Sequence, residues 1–420
     1  MATYELGQQP GSLGTAAAHL RAAGHEVRAV DVSVDDWDAA LATWADEVAF
    51  SVPMHTATRL ARDLAQTIDR PVRCFGLYAD QCTDFATPVD WDAPIPARDL
   101  LPPLDRYARL DIGGEQRLVG AVLASHGCAH RCRHCPVPVV FDGRVRRLDE
   151  DAVLADIAQL VEAGARHITF GDPDFLNAPP HSRRVVRAMH EQFPDVTFDC
   201  TVKVEHVLRH RGLRHDDLWP ELADAGCLFV VSAFESVDDA VLARLDKGHT
   251  TADAGRAVAV LRDAGIDVRP SWLPFTPWTT RESFVALLDF VHDHDLVGSV
   301  DPVQYSVRLL LPKGSLLLAH PDLAPHVGPW DEARSTFSWR SADPAVDRLQ
   351  QRVAAVVEAD GDVRDLYAAV RTAAGAPPVD LTSATVGRPR LTESWFCCAE
   401  PTELQLQRTG ARHAPFSLRM

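Results

Sequence analysis

Three cysteines, Cys128, Cys132 and Cys135, fall close together in the run Ser125-His126-Gly127-Cys128-Ala129-His130-Arg131-Cys132-Arg133-His134-Cys135-Pro136. Thiolates are the soft ligands that iron–sulfur clusters and zinc select, so three on one short loop can converge on one such centre. Three ligands are one short of the usual four, and an open metal position is where a substrate or cosubstrate binds. A zinc ion on these thiols with His126, His130 or His134 as fourth ligand is the other centre the spacing allows. A second thiol feature is the adjacent pair Cys397-Cys398 in Trp395-Phe396-Cys397-Cys398-Ala399-Glu400-Pro401. Neighbouring thiols seldom pair with each other; they grip a soft thiophilic centre or pack as apolar groups in a docking tail. Cys74, Cys82, Cys200 and Cys227 fall in or beside predicted strands and read as core residues.

Charged side chains placed along apolar strands are the other candidates. Glu235 closes Ser232-Ala233-Phe234-Glu235, and a carboxylate in that position is seldom there for packing. Arg269, in Val268-Arg269-Pro270, has a planar fork suited to a carboxylate, with a salt bridge to a neighbouring strand's acid such as Glu235 as the plain alternative. Alternation sends Lys203 and Glu205 to one face of a strand. If that face is the interior, Lys203 is a proton donor or carboxylate anchor. Gln304, Tyr305 and Arg308 call for the same treatment, with Tyr305 or Arg308 lining a cavity. Asp172 and Asp174, in Gly171-Asp172-Pro173-Asp174, could accept from an ammonium or serve as turn formers.

The elements that must position these groups are legible as alternating strand and helix. From Leu118 the expected order is the strand that feeds the cysteine loop, a helix capped by Asp149 and stopped by Gly164, and strand His167–Phe170. Helix 182–191, strand 197–204, helix 216–225 and strand 227–233 ending at Glu235 follow. Helix 252–264, strand 267–273, helix 281–293 and strand 300–311 complete six strands, which imply a parallel barrel whose chemistry gathers at the C-terminal strand ends. Ahead of it, residues 1–90 read as a Rossmann-like parallel α/β domain with helix 12–23, strands 26–30, 48–52 and 72–77, and a helix from about Thr56. Residues 91–117 are a proline- and acid-rich linker, 118–312 the barrel, and 313–420 an extension with helices 344–358 and 363–373 and the Cys-Cys tail.

The chain has 420 residues, with 46% hydrophobic and 24% charged content, which suits a globular protein of two domains and a tail. Its net charge of −17 disfavours nucleic acid and anionic membranes as partners. With no signal peptide, no spanning apolar run and nine cysteines, the expected location is the cytoplasm. Only three lysines occur, Lys203, Lys247 and Lys313, and their scarcity sets each apart from the many arginines.

The C-x3-C-x2-C spacing resembles the signature of the radical S-adenosylmethionine (radical SAM) family, with His134 in the place of the aromatic residue before the third cysteine. The resemblance implies that the barrel is the open, partial (β/α)6 type, that Cys128, Cys132 and Cys135 hold a [4Fe-4S] cluster, that SAM chelates its fourth iron, and that an electron from the cluster cleaves SAM. It places Gly171 and Asp172 at the family's G-G-E motif near the methionyl amine, although only the first glycine is kept. It also sets Glu235 at the ribose and Arg269 at the SAM carboxylate. The N-terminal domain resembles the cobalamin-binding-like module of one subgroup but lacks D-x-H-x-x-G, and His55 does not fit that motif. Cobalamin is allowed, but a domain that kept its shape and lost the cofactor is favoured. Cys397 to Pro401 matches the Cys-Cys-Ala-Glu-Pro tail that names a radical SAM subgroup, so the resemblance is to a member with both the cobalamin-binding-like domain and this tail.

The resulting expectation is an enzyme acting on a small molecule, with an electron donor such as flavodoxin or ferredoxin. Cys397, Cys398, Lys203 and Tyr305 are the candidate catalytic groups. The cysteine pair would bind a soft acceptor, such as arsenic, or relay reducing equivalents. A cobalamin-dependent radical methyltransferase and a non-catalytic metal-binding or redox-sensing protein are the rival readings.

Overall fold

The computed structural model describes residues 7–208, 215–332, 334–359, 361–392 and 399–400. The N-terminal module stacks helices Gly11–Ala22 and His55–Ala65 with a parallel sheet of β1 (Val48–Ser51), β2 (Val72–Phe75) and β3 (Thr87–Pro88), in that order. Phe50, Val52, Ala57, Ala61, Cys74 and Cys82 fill its core. The strand expected at 26–30 does not form. Its apolar face would carry only Val27 and Ala29 between charged neighbours, and the segment lies exposed or half-exposed.

The predicted linker does more than connect. β4 (Arg109–Ile112) and β5 (Glu115–Val122) form an antiparallel hairpin across Gly113-Gly114, whose φ of +60° and +93° are open to glycine. The barrel sheet therefore starts before Leu118. Arg98 locks the linker down. Its Nε and Nη2 donate to the Asp156 carboxylate at 2.9 and 2.8 Å, Nη1 donates to Gln9 at 3.0 Å, and Nη2 also reaches the Ala121 carbonyl at 2.7 Å. With both side chains only 6% exposed, this pair joins N-terminal module, linker and barrel at a buried point.

A short hairpin, β6 (Ser125–Gly127) with β7 (Val145–Arg147), brackets the cysteine loop. β8 (His167–Phe170), β9 (Thr197–Thr201), β10 (Cys227–Glu235) and β11 (Asp267–Trp272) run parallel to β5. Asp149 caps helix Glu150–Glu162 by accepting from the Ala152 amide, as its position in the sequence predicts. The strands' outward residues, such as Val122, Ile168, Phe198, Val230 and Val268, pack with the helices in one core. At Gly120 a Cβ would lie 2.8 Å from the Leu160 side chain, so only glycine lets that helix approach. The alternate residues Ala121, Thr169, Thr201, Val231, Ala233 and Arg269 face the other way and stay half-buried, lining an open half-barrel.

Two predicted strands are shorter than expected. β9 stops at Thr201, and Val204–Leu208 is helical, so Glu205 and His206 lie on a helix rather than a strand. In place of a sixth strand over 300–311, Pro302–Ser306 forms a 3-10 turn and only β12 (Arg308–Leu309) is extended, touching Phe275 by a lone parallel bridge. Pro302 has no amide to donate to a ladder. Hairpin β13 (Val327–Asp331) with β14 (Thr336–Trp339), and helices Pro344–Val357 and Val363–Ala374, follow. β15 (Arg390–Leu391) pairs antiparallel with β4, and β16 (Ala399–Glu400) pairs antiparallel with β12. The seven-stranded sheet runs β11-β10-β9-β8-β5-β4-β15.

Candidate active site

The cysteine loop sits over the C-terminal strand ends and is held from three sides. The Arg133 amide donates to the Leu245 carbonyl at 2.9 Å, and its guanidinium reaches the Ala243 and Arg244 carbonyls at 3.1 and 2.9 Å. This cation thus caps the negative end of helix Asp239–Leu245. From the other side the Arg133 carbonyl accepts the Leu317 amide at 2.9 Å. Asn177 Oδ1 accepts the Ala129 amide at 3.0 Å and lies 3.8 Å from Cys128 Sγ. Neither Arg133 nor Asn177 carries a motif that marks it in the sequence.

Cys132 is buried and Cys128 and Cys135 are half-buried, all as free thiols. Burial, with Asp174 nearby, pushes the Cys128 thiol up to about 12. Burial also raises Cys132, and the positive charges of Lys247 and Lys203 oppose it. A bound metal removes such protons outright, and the two ammoniums suit the thiolates that remain.

The donor set fits a multi-iron cluster better than a single zinc ion. Ligands of one tetrahedral zinc would bring the sulfurs to about 3.8 Å of one another. Among the described residues the group whose ligand atoms gather within 4.8 Å is a different one, His130, Asp174 and His206.

Glu235 ends β10 in a left-handed turn, φ +63°, and its Oε1 meets Lys247 Nζ at 3.1 Å and His134 Nε2 at 3.3 Å. Burial works to raise this carboxyl, but Lys247 and His134 outweigh it and hold it well below the usual carboxylate range. Lys247, likewise buried, is raised by Glu235 and by the Cys132 and Cys135 sulfurs. His134 keeps its Nδ1 buried without a hydrogen-bond partner. Lys203 Nζ donates to Glu205 Oε2 at 3.4 Å and to His130 Nδ1 at 3.1 Å. Gly248, φ +74°, backs this pair, and a Cβ there would lie 2.7 Å from Glu205 Oε2. Thus Cys128, Cys132, Cys135, His134, Lys203 and Glu235 come together, joined by Lys247.

Asp172, Tyr305, Arg308 and Arg269 stand elsewhere than expected, while Gly171 stays at the C-terminal end of β8. Gly171 continues β8, its amide donating to the Val122 carbonyl at 2.8 Å, and stands at the exposed rim. Asp172 turns inward, where its two oxygens accept the Ala124 amide at 2.9 Å and the Ser125 hydroxyl at 2.6 Å. It is a clamp between two strand ends rather than an acceptor for an ammonium. Tyr305 is fully buried beside Tyr367, in the core under the C-terminal helices, and not on a cavity wall. Arg308 is drawn to Asp347 at 3.1 Å.

Arg269 forms no pair with Glu235. It reaches the Pro389 carbonyl at 3.5 Å and lines a cavity of about 460 Å³ with Asp111, Gly113, Gly298 and Asp301, among the turns at the N-terminal strand ends. That is the end of the half-barrel opposite the cysteine loop. His55 is buried in the N-terminal module, where burial lowers it to about 4. Cys397 and Cys398 lie outside the described residues.

Residues 122–291 match the family model for the radical SAM superfamily, a span that contains the cysteine loop and β8 to β11. The chain carries a radical SAM domain. The superfamily that this domain matches uses a [4Fe-4S] cluster and SAM. Among curated relatives it resembles a putative methylthiotransferase of Methanocaldococcus jannaschii, at 25% identity over 40% of this chain and 38% of that one. It also resembles the ribosomal protein uS12 methylthiotransferase RimO of Cereibacter sphaeroides, at 28% identity over 69% of this chain and 61% of that one. The chain thus spans less than two thirds of the length of either relative.

The fold extends further. The methyltransferase TsrM of Kitasatospora setae, solved with cobalamin and a [4Fe-4S] cluster, aligns over 90% of this chain and 89% of its own, with a TM-score of 0.59 at 16% identity. The cobalamin-dependent enzyme OxsB, solved with aqua-cobalamin and SAM, aligns over 88% of this chain and 69% of its own, with a TM-score of 0.62 at 13% identity. The N-terminal module is therefore part of the shared fold. No described helix is long and apolar enough to cross a membrane.

Proposed function

We propose that Cys128, Cys132 and Cys135 hold a [4Fe-4S] cluster at which SAM is reductively cleaved to modify a small molecule in the half-barrel. The observation that carries this is the convergence of the three thiols with two buried ammoniums, Lys203 and Lys247, at the strand ends above an open lumen. The bound cluster supplies the electron that breaks SAM. The protein's part is to place and hold. Glu235 stays ionised and spends Oε1 on both its partners, which leaves Oε2 to accept from a ribose hydroxyl. His134 Nδ1, buried without a partner, offers a hydrogen-bonding group to the same nucleoside. Lys203, facing the lumen beside the thiols, is the candidate for anchoring or protonating the substrate.

Cys397 and Cys398 immediately precede Ala399 and Glu400, whose backbone is laddered onto Arg308–Leu309. That attachment to the barrel supports a role for the pair at the site, holding a soft acceptor or relaying reducing equivalents. The test is to reconstitute the protein anaerobically, add SAM and dithionite, and identify the SAM-derived products by mass spectrometry. 5′-Deoxyadenosine supports the proposal, and loss of SAM cleavage in Cys132→Ala ties it to the loop. An intact cluster that leaves SAM uncleaved overturns it.

A cobalamin-dependent methyl transfer is a second reading, because the likeness to TsrM and OxsB includes the N-terminal module. His55 does not fit it as a cobalt ligand, being packed in that module's own core. A corrinoid would have to bind without it. Titration with aqua-cobalamin decides between them, since binding favours methyl transfer.

A further inference from the structure

We propose that His130, Asp174 and His206 form a second metal site, for a single divalent transition metal such as zinc, iron or cobalt, separate from the cysteine centre. The three residues come from different segments: the cysteine loop, the loop after β8, and the helical turn after β9. Their ligand atoms all lie within 4.8 Å of one another. With His206 Nε2 as its ligand atom, His130 Nε2 is 3.3 Å from it and 3.6 Å from Asp174 Oδ2; the other nitrogen of His206, Nδ1, lies 2.7 Å from Asp174 Oδ2, a contact that a metal would replace. Ligands around a tetrahedral metal at 2.0–2.1 Å stand about 3.3–3.4 Å apart, close to the spacing His130 Nε2 shows to both neighbours.

The carboxylate is held in place for this. Asp174 is almost fully buried, and its Oδ1 is taken by the Leu176 amide at 3.0 Å, which leaves Oδ2 turned toward the two imidazoles. Two histidines and one carboxylate are a donor set that suits zinc and iron, and with three protein ligands a fourth position stays open.

The surroundings are compatible with a cation. Asp174 and Glu205 against Lys203 carry a net charge of −1 around the set. Lys203 Nζ lies against His130 Nδ1, so in the metal-free protein Nδ1 is the acceptor. When Nε2 takes a metal, Nδ1 carries the proton and turns to Glu205 Oε2, 4.0 Å away, while Lys203 keeps its own contact with Glu205. That is the carboxylate–histidine–metal arrangement by which outer groups orient a ligand. The inference does not depend on SAM cleavage, because no cysteine belongs to the set.

The test uses the full chain with Cys128, Cys132, Cys135, Cys397 and Cys398 all changed to alanine, so that neither a cluster nor the thiol pair of the tail can take up the metal, and cobalt(II) as the probe. The expected result is one cobalt per chain with d–d absorption and no thiolate-to-metal charge transfer. His206→Gln and Asp174→Asn should each weaken binding by at least the order of 10- to 100-fold seen when a ligand's support is lost. The variants' thermal unfolding checks that they are folded. Pulsed EPR of copper(II) in the unmutated site offers a readout free of folding effects and should show two imidazole couplings. No cobalt uptake, undiminished uptake in both variants, or copper spectra lacking histidine nitrogen would overturn the proposal.

Discussion

Lys247 Nζ lies 3.1 Å from Glu235 Oε1 beneath the cysteine loop, the lysine buried and the glutamate half-buried. This pair ties the end of β10 to the thiols, because Lys247 feels Cys132 and Cys135 as well as Glu235. A non-glycine residue at φ +63° is strained, and Glu235 is held there by its contacts with Lys247 and His134.

The first prediction concerns the potential of the cluster. An ammonium beside the thiolates favours the reduced, more negative state by roughly 1–2 kcal/mol at an effective dielectric of about 20. Lys247→Met should therefore shift the midpoint potential to more negative values, measured by EPR-monitored redox titration of the reconstituted protein. An unchanged or raised potential would show that Lys247 acts on Glu235 alone.

SAM affinity should separate the two ends of the half-barrel. Equilibrium dialysis should show weaker SAM binding in Glu235→Gln, on the order of tenfold, the worth of one good hydrogen bond to a charged group. Arg269→Gln should bind SAM within about a factor of two of the parent. Its guanidinium belongs to the cavity at the opposite strand ends.

Legibility follows the range of the forces involved. The cysteine loop, the Asp149 cap and the order of the main barrel strands and helices from β5 through Arg281–Asp293 are readable in the sequence because ligand spacing, capping and apolar periodicity are local. Arg269 and Tyr305 are misplaced by sequence reasoning because a strand's length decides which layer a side chain joins. β11 carries Arg269 low in the lumen, and the turn at Pro302–Ser306 hands Tyr305 to the C-terminal helices. Lys203 and Glu205 do meet, but across a strand-to-helix junction instead of along one strand. Asn177, Arg133 and Lys247 escape such reasoning, since each acts through contacts distant in sequence. The scarcity of lysine is the one signal that points to Lys247.

A stability prediction rests on Asp172, whose carboxyl burial pushes up to about 6 from 3.8. Because the folded pKa is the higher one, the folded protein binds the extra proton between about pH 4 and 6. This residue's contribution is therefore greatest below pH 4 and is lost as pH rises through about 6, by up to roughly 3 kcal/mol. Asp172→Asn should flatten that part of the pH dependence in urea unfolding midpoints relative to the parent chain. An equal slope in both proteins would show that Asp172 is not the group responsible.

Arg98→Ala should be strongly destabilising. It leaves Asp156 as a buried carboxylate without its bidentate partner, a loss of about 3–5 kcal/mol. Urea unfolding should report it, and Arg98→Ala combined with Asp156→Ala should recover part of the loss. No recovery would mean that the contacts of Arg98 with Gln9 and Ala121 matter more.

The most direct test of the central claim is low-temperature EPR of the anaerobically reconstituted, dithionite-reduced chain, recorded before and after SAM is added. A [4Fe-4S] signal whose g values shift with SAM, and which is lost on Cys128→Ala, is the predicted result. It would show a cluster on the three-cysteine loop with one iron open to SAM. A signal indifferent to SAM, or a loop that takes up a single zinc ion and no cluster, would contradict it.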